Sequence, residues 1–248
     1  MGVLVSHLLS LAPGEVHVWL TTPEAIADEE LLAAYARWMN PEEAARQARF
    51  LFARHRHQFL VARALVRTTL SRYGDLPPAA WQFVNNAYGR PDIDPTHELG
   101  DLRFNLSHTD GLVAVAVGRG EIGVDVEDTW RRSHTDQIAE HFFAPGEVAG
   151  LRGLPQARQH GRFFELWTLK EAYIKARGMG LAISLHHFAY DLDGPGIGLA
   201  IDPVLGDTPE GWQFFLDAPT DRHRLALAAR FPGGEPLRIA VTHVVPGT

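Results

Sequence analysis

The stretch Ile122-Gly-Val-Asp-Val-Glu127 places two carboxylates, Asp125 and Glu127, in a short run of otherwise apolar residues. Successive side chains of an extended strand alternate between its faces, so both carboxylates project to one side and the apolar side chains to the other. Two carboxylates side by side on a half-buried strand repel each other, unless a cation lies between them or both reach water. The stretch therefore predicts a strand with one core-facing side and one charged side.

A second stretch, Phe164-Glu-Leu-Trp-Thr-Leu-Lys-Glu-Ala-Tyr-Ile-Lys175, is typical of a buried helix, because apolar side chains cover most of its circumference. We expect this helix over residues 159–177, with Glu171 and Lys175 one turn apart on the same face. A buried carboxylate costs several kcal/mol unless it is paired or bound to a metal. An ion pair between Glu171 and Lys175 would meet that need, and so would a metal.

A metal would also account for the two carboxylates of the strand. Divalent cations such as Mg²⁺ prefer oxygen ligands and bridge carboxylates to phosphates. Three carboxylates and a lysine therefore indicate a divalent cation that holds a phosphorylated substrate.

Composition limits the classes of protein that fit. The chain has 248 residues, 46% of them hydrophobic, which is enough for one large domain or two small lobes. The 30 acidic and 23 basic side chains give a net charge of −7, which disfavours general nucleic-acid binding. With no Cys, disulfides and cysteine-ligated zinc are excluded. Residues 3–12 lack a basic leader and a cleavage site, and no apolar run could span a bilayer, so we expect a cytoplasmic protein without membrane contact.

The two lysines are placed together. Of the 23 basic residues, 21 are Arg and only Lys170 and Lys175 are Lys, and both lie within one turn of Glu171. Unlike a guanidinium, an ammonium can give up a proton when its pKa falls. A role in a reaction is one interpretation of this placement, and two surface lysines on a helix is the other.

An arginine-rich segment extends from residue 37 to residue 72, with Glu42 and Glu43 as its only acidic residues. In an acidic protein such a segment is where a phosphate- or acid-binding surface is expected, although a solvated basic helix would have the same composition. Its arginines are Arg37, Arg46, Arg49, Arg54, Arg56, Arg63, Arg67 and Arg72.

Two smaller features could also bind an anion. Arg90 lies at the tip of a turn in which Gly89 can adopt a positive φ and Pro91 stiffens the exit. Ser107 and His108 end an alternating strand, where a hydroxyl and an imidazole could hold a phosphate. Each feature taken alone is equally compatible with a surface role.

Five motifs follow one another in the chain and together resemble the 4′-phosphopantetheinyl transferases of the long, Sfp-type class. Each motif alone is weak, but five in this order and spacing are specific. The likeness extends from about Phe50 to Leu185. The motifs are Tyr88-Gly-Arg-Pro91, Phe104-Asn-Leu-Ser-His-Thr109, Ile122-Gly-Val-Asp-Val-Glu127, Phe142-Phe-Ala-Pro-Gly-Glu147 and Phe164–Lys175.

The resemblance implies an α+β fold with pseudo-twofold symmetry, in which two similar lobes each pack helices on a mainly antiparallel sheet. The expected lobes are residues 1–119 and 120–248, of which the second carries the metal-binding motifs. The resemblance also implies a monomer with coenzyme A between the lobes. Its activity would be the Mg²⁺-dependent transfer of 4′-phosphopantetheine from coenzyme A to a serine of an apo acyl carrier or peptidyl carrier protein. That reaction releases adenosine 3′,5′-bisphosphate.

Matched position by position, the resemblance assigns Asp125, Glu127 and Glu171 as the metal ligands. Lys175 resembles a lysine that assists transfer. Serine is a weak nucleophile and needs a base, for which we choose Glu171 or a metal-bound water that it holds.

Further matched positions would contact coenzyme A. Ser107 and His108 resemble a pair that holds a phosphate of coenzyme A. Arg90 stands where the family usually has Lys or Arg beside the turn glycine, so Gly89, Arg90 and Pro91 are expected at the same ligand.

The resemblance places four more cations and one carboxylate near coenzyme A. Lys170 resembles a second cation on the substrate side, and Asp125 and Lys175 belong to the same set. Arg46 and Arg49 are both candidates for the 3′-phosphate. Carrier proteins of this family are acidic, which would suit the arginine-rich segment.

Two other functions are compatible with parts of the pattern. A non-catalytic regulator that binds coenzyme A or a nucleotide would show binding without turnover, but the carboxylates and Lys175 count against it. Another Mg²⁺-dependent phosphotransferase is disfavoured because the chain has no phosphate-binding glycine loop of the Walker or kinase type. The natural carrier, whether of fatty acid, polyketide or peptide synthesis, is left open.

Overall fold

A computed structural model describes residues 8–131 and 135–248 of the chain, so part of the apolar stretch 3–12 lies outside the described residues. The strands are β1 Glu15–Thr21, β2 Phe83–Asn85, β3 Pro91–Ile93, β4 Leu102–Thr109, β5 Leu112–Arg119, β6 Glu121–Asp128, β7 Phe188–Asp191, β8 Gly198–Ile201, β9 Trp212–Thr220, β10 His223–Arg230 and β11 Arg238–His243. The helices are α1 Glu29–Trp38, α2 Pro41–Ala48, α3 Ala53–Leu70, α4 Thr135–Phe142, α5 Pro145–Gly153 and α6 Gln156–Arg177. None of these helices is both long and apolar enough to cross a bilayer.

The order of elements occurs twice along the chain. β1 is followed by three helices, the short hairpin β2–β3 and the strands β4 and β5; β6 is followed by three helices, the short hairpin β7–β8 and the strands β9 and β10. The strands of the two main sheets are arranged in the same way, as β1-β5-β4 and β6-β10-β9. This repetition is the pseudo-twofold α+β fold expected from the sequence, and that prediction is confirmed.

The two main sheets and two long helices form four layers. One face of each sheet contributes to a shared apolar core, in which Val18, Val124 and Leu227 are fully buried. Because side chains alternate along a strand, each sheet has a second face to cover. α3 packs on the second face of the first sheet, and α6 packs on the second face of the second sheet. β11 extends the first sheet by pairing in parallel with β1.

Side chains of β4 bond to the backbone of β6, where the two sheets meet. Asn105 Oδ1 accepts the N–H of Val124 at 2.9 Å, and Ser107 Oγ accepts the N–H of Val126 at 3.2 Å. A buried N–H without a partner costs about 1–3 kcal/mol. The buried side chains of Asn105 and Ser107 therefore stabilise the junction of the two sheets. The bond to Val126 also holds Ser107 beside the charged face of β6.

A glycine allows α6 to lie directly on β6. A Cβ atom at Gly123 would be 2.2 Å from the carbonyl oxygen of Ala172 and 2.3 Å from the amide nitrogen of Ala176, so only glycine permits this approach. Residues 123, 125 and 127 share one face of the strand, because side chains alternate. The close approach at Gly123 therefore turns Asp125 and Glu127 towards α6.

Candidate functional site

The strand and the helix meet at Lys175. Its Nζ donates to Asp125 Oδ1 at 2.7 Å and to Ser107 Oγ at 2.7 Å. Asp125 is only 4% exposed, so this ion pair lies at the edge of the core rather than in free solvent. The structure thus brings together three of the residues singled out in the sequence, from β4, β6 and α6.

Ser107 holds this junction in place. Its hydroxyl donates to Asp125 Oδ1 at 2.9 Å and accepts from Lys175 Nζ and from the N–H of Val126. A hydroxyl has one proton and two lone pairs, so all of its bonding capacity is used. In this arrangement Ser107 orients Asp125 and Lys175. Its expected contact with a phosphate stays a prediction.

The two carboxylates of β6 have different partners. Glu127 accepts the indole N–H of Trp167 at 2.9 Å, and Arg131 Nη1 lies 3.8 Å from its other oxygen. Asp125 Oδ2 is buried and has no hydrogen-bond partner among the described residues. A buried carboxylate oxygen without a donor is costly, and it is the kind of atom that a cation would satisfy.

Negative charge is in excess at the site. Burial, together with the charge of Asp125, raises the pKa of Glu127 to about 7. Burial and the same Asp125 charge also raise the pKa of Glu171, although Lys175 opposes this shift. Asp125 therefore acts on both glutamates, and the charges of Lys175 and Arg131 offset only part of the combined effect of burial and Asp125.

The donor set suits a divalent cation. In their present orientations, no three His, Asp or Glu side chains within residues 8–131 and 135–248 form a ready metal site. Three features nevertheless fit Mg²⁺: the ligands are all oxygens, Asp125 Oδ2 lacks a partner among the described residues, and burial together with the charge of Asp125 raises the pKa of both glutamates. Asp125, Glu127 and Glu171 as metal ligands stay a prediction, which this chemistry supports.

Positive side chains gather beside the end of β4. Burial and the charges of Lys175, Arg46 and Arg63 lower the pKa of His108, although one side of the residue is exposed. Arg46 lies in the last turn of α2, with its guanidinium 5.6 Å from the centre of the Phe59 ring. Lys175, Arg46 and Arg63 therefore form one cationic group near His108, which an anion would stabilise.

Arg49 is exposed at the end of α2. Arg49 is the C-cap residue of this helix, and its backbone N–H bonds to the carbonyl oxygens of Arg46 and Gln47. A contact between Arg49 and the 3′-phosphate stays a prediction.

Arg63, on α3, is a member of the cationic group that the sequence analysis did not single out. Its side chain is 12% exposed, and its Nε and Nη2 atoms find no hydrogen-bond acceptor in the described parts of the chain. The nearest carboxylate is that of Glu43. Its Oε1 lies 3.4 Å from Arg63 Nε, and its Oε2 accepts from Arg67 at 2.7 Å. Burial lowers the pKa of Arg63; Glu43 opposes this, and Arg67 and Arg46 add to it. In the sequence, Arg63 and Arg67 are four residues apart in the mainly apolar second half of α3, which predicts that both share one face but not which of them lacks an acceptor.

Lys170 lies in the core and not on the substrate side. It is fully buried, and its ammonium contacts Glu147 Oε2 at 2.8 Å and the carbonyl oxygens of Leu185 and Phe188 at 2.9 and 2.6 Å. These three acceptors use all three ammonium protons. The structure thus separates Lys170 from Glu171, because adjacent residues of a helix point about 100° apart.

The turn that carries Arg90 contacts the end of α6. Arg90 Nη1 donates to the carbonyl oxygen of Ala176 at 3.0 Å, and Asn86 Nδ2 donates to that of Gly178 at 2.7 Å. A cation at a helix C-terminus satisfies free carbonyl groups and complements the helix dipole. Gly89 is at the open tip, with φ +85°, and Pro91 begins β3. Coenzyme A contacts of Gly89, Arg90 and Pro91 stay predictions.

Comparisons with known proteins agree with one another. The family model "4′-phosphopantetheinyl transferase superfamily" matches residues 121–228, and the model "4′-phosphopantetheinyl transferase, N-terminal" matches residues 26–119. The 4′-phosphopantetheinyl transferase HetI of Nostoc sp. is 33% identical over 233 residues, which are 92% of this chain and 93% of that protein. The transferase Sfp of Bacillus subtilis is 32% identical over 65% of this chain and 70% of its own.

A solved holo-(acyl-carrier-protein) synthase from Bacillus anthracis, in complex with coenzyme A (3′,5′-ADP), is 22% identical, with a TM-score of 0.36 over 45% of this chain and 95% of its own. The match to HetI extends over nearly the whole of both chains. This chain therefore belongs to the 4′-phosphopantetheinyl transferases, enzymes that attach phosphopantetheine to carrier proteins.

Proposed function

We propose that this enzyme takes the 4′-phosphopantetheine group from coenzyme A and transfers it to a serine hydroxyl of an apo acyl carrier or peptidyl carrier protein. The reaction depends on Mg²⁺ and releases adenosine 3′,5′-bisphosphate. The observation that carries the proposal is the junction of Asp125, Ser107 and Lys175 beside two glutamates with raised pKa. A regulator that only binds its ligand would not need an ionisable glutamate next to this ammonium.

In the proposed reaction, the serine oxygen bonds to the phosphorus of the phosphopantetheine group. The pyrophosphate bond to the adenosine bisphosphate breaks, and the electron pair leaves with the bisphosphate. Asp125, Glu127 and Glu171 would hold Mg²⁺, which when bound polarises the pyrophosphate and offsets charge on the leaving group.

Glu171 would accept the serine proton, directly or through a water molecule. A base is most effective when its pKa is near the working pH, and burial and Asp125 shift the pKa of Glu171 in that direction. Lys175 would place its ammonium against the charge that develops on the phosphates, because Asp125 and Ser107 hold it in position.

A mass-shift assay tests the proposal directly. The protein is incubated with coenzyme A, Mg²⁺ and, in turn, apo carriers of fatty acid, polyketide and peptide synthesis. At least one carrier should gain the mass of one phosphopantetheine group, and the panel should show which class is preferred. The proposal fails if no carrier gains mass.

The excess of carboxylates predicts a pH-dependent response to Mg²⁺. The folded-state pKa of Glu127 is about 7, above its ordinary value of 4.5, so the folded protein binds this proton more tightly than the unfolded chain. The free energy of unfolding should therefore fall as the pH rises from about 4.5 to about 7. Mg²⁺ would offset the charge that causes this loss, so it should raise the Tm more at pH 8 than at pH 5.

Thermal unfolding with and without Mg²⁺ measures this difference. The E127Q variant should lose much of the pH dependence of the Mg²⁺ shift, whereas E210Q, at an exposed glutamate, should keep it. An equal Mg²⁺ shift at both pH values would contradict a metal at these carboxylates.

Arg63 should recognise the phosphate that does not react. The pyrophosphate would lie at Lys175 and Asp125, which leaves the 3′-phosphate for the unpartnered N–H groups of Arg63. Hydrogen bonds to charged groups contribute about 1.5–3 kcal/mol, so R63Q should raise the KM for coenzyme A about 10- to 100-fold. The KM for 3′-dephospho-coenzyme A should change little.

Steady-state kinetics with both donors tests this assignment. R37Q, at an exposed arginine of α1, is the control and should leave both KM values unchanged. An equal loss with both donors would show that Arg63 supports the fold and does not contact the 3′-phosphate.

The monomeric state, the cytoplasmic location and the lobe boundary at residue 119 also stay proposals.

A further inference from the structure

Two large apolar side chains protrude from the loop between α2 and α3. Leu51 is 87% exposed and Phe52 is 59% exposed. Burying such a side chain contributes about 1.5–3 kcal/mol, so leaving two of them in water forgoes a sizeable stabilisation. Adjacent exposed apolar residues with polar residues around them are typical of an interaction surface.

The loop that carries these side chains is ordered by its own contacts. Arg56 Nη1 donates to the carbonyl oxygens of Phe50 at 2.7 Å and Leu51 at 3.2 Å. The imidazole of His55 meets the ring of Phe52 edge-on, with centroids 5.5 Å apart. A surface held in one conformation loses less entropy when a partner binds.

The surface around the loop is positively charged. Residues 46–56 include four arginines and no acidic residue, in a chain with a net charge of −7. Arg54 lies closest to the apolar pair, with its guanidinium 5.8 Å from the centre of the Phe52 ring. We name Leu51, Phe52 and Arg54 together the α2–α3 rim. Its chemistry matches a partner that presents an apolar side chain between carboxylates.

The rim lies near the end of β4, the strand that carries Ser107 and His108. A cavity of about 510 Å³ is lined by Arg54 and Gln58 from α3 and by Arg222 from the turn before β10. Gln58 also donates to the carbonyl oxygen of Thr109, next to His108 at the end of β4. A macromolecule seated on the rim would therefore stand beside this cavity and near the end of β4.

Arg222, which lines the same cavity, also lies beside an exposed aromatic ring. The guanidinium of Arg222 lies 5.7 Å from the centre of the Trp130 ring, and Trp130 is 69% exposed two residues after β6. Two arginines that line the cavity, Arg54 and Arg222, thus each lie beside an exposed aromatic ring. Tryptophan and arginine are enriched among the few residues that dominate the affinity of protein interfaces.

We propose that the α2–α3 rim is a docking surface for the carrier protein, and that it contacts an apolar side chain flanked by carboxylates near the acceptor serine. The inference rests on the proposed function, because that reaction requires a carrier to bind near Ser107 and Lys175. An anionic membrane would also attract arginines, and vesicle binding is therefore one arm of the test below.

Two variants and two matched controls test the surface. L51S/F52S removes the apolar pair and R54E reverses the nearby charge; V204S and R158E make the same changes at exposed positions elsewhere. Truncation of a central interface residue typically weakens binding by about 2 kcal/mol or more. We therefore expect each rim variant to raise the KM for the carrier about 30-fold, and the controls to leave it unchanged. The KM for coenzyme A should stay constant in all four.

Binding of the apo carrier, measured by calorimetry in the absence of coenzyme A, separates this inference from the proposed function. If the wild type transfers the group but the rim variants keep the wild-type carrier KM, the docking surface is wrong and the function stands. If no carrier is modified, the Kd of the rim variants for the apo carrier still tests the docking surface. A Kd equal to that of the wild type overturns the inference.

Two further results would also overturn it. A raised KM for coenzyme A with an unchanged carrier KM would assign the rim to the donor. Loss of binding to vesicles of anionic phospholipid, with carrier kinetics intact, would assign it to a membrane. Circular dichroism and the Tm should be the same as in the wild type, since the exchanged side chains are exposed.

Discussion

Replacing Glu171 by Gln is expected to lower kcat by about 10²- to 10⁴-fold, the usual contribution of a general base. The variant should keep its fold, because Gln has nearly the same shape as Glu and fits the same position on α6. Stability should even rise slightly near neutral pH. Burial and Asp125 raise the pKa of Glu171, so its ionised form is disfavoured in the folded protein, and a neutral amide removes that repulsion.

Single-turnover transfer and thermal unfolding measure the two effects separately. E165Q, on the same helix, is the matched control: its carboxylate pairs with Arg162 and lies outside the junction, so transfer should be retained. Loss of activity with an unchanged or higher Tm would indicate a chemical role. Near wild-type transfer by E171Q would remove Glu171 from the mechanism.

The K170A variant should have the largest effect on stability. Removing one partner of a buried ion pair costs about 3–5 kcal/mol, because the other charge is left without compensation. Here that charge is Glu147, whose side chain is 2% exposed and also accepts the backbone N–H groups of Ala144 and Tyr190. Urea unfolding should show the loss, and the KM for coenzyme A of the remaining folded protein should be unchanged.

The double variant K170M/E147Q keeps this prediction testable when K170A does not fold. It removes both charges, fills the space of the lysine stem and retains an acceptor for one backbone N–H, so it should recover a large part of the lost stability. A stable K170A with a raised KM for coenzyme A would instead show that Lys170 contacts the substrate.

The elements at the centre of the site could be predicted because their patterns are local. Alternating apolar and acidic residues predicted a strand at 122–127, and the structure has β6 at Glu121–Asp128. A nearly continuous apolar circumference predicted a helix at 159–177, and α6 spans Gln156–Arg177. Both patterns follow from the geometry of one element, so no knowledge of its neighbours was needed.

Interpretations that depended on neighbours were less secure. Lys170 and Lys175 look equivalent in the sequence, but helix geometry turns the first into the core and the second towards Asp125. Arg90 looked like a free cation at a turn tip, whereas the packing of its hairpin on α6 directs it to the carbonyl oxygen of Ala176.

Arg63 shows the opposite case, a residue that the sequence did not distinguish. Among eight arginines in one segment, only the tertiary structure shows which guanidinium is buried and which acceptors its neighbours have already taken. Glu43 Oε2 accepts from Arg67, while Oε1 stays 3.4 Å from Arg63 Nε, so the Nε and Nη2 atoms of Arg63 make no hydrogen bond within the described residues. No periodicity in the sequence carries this information, because the competition is between side chains of different helices.

By itself, the sequence determined the α+β class, the family and the charged residues of the strand and helix around Asp125 and Lys175, because these follow from local periodicity and ordered motifs. Only the tertiary structure decided which charges meet. Gly123 allows α6 to approach β6, Ser107 joins Asp125 to Lys175, and Glu147 retains Lys170 in the core. Electrostatic interactions act over a few ångströms in space, whatever the separation along the chain, and so the site depends on the packing.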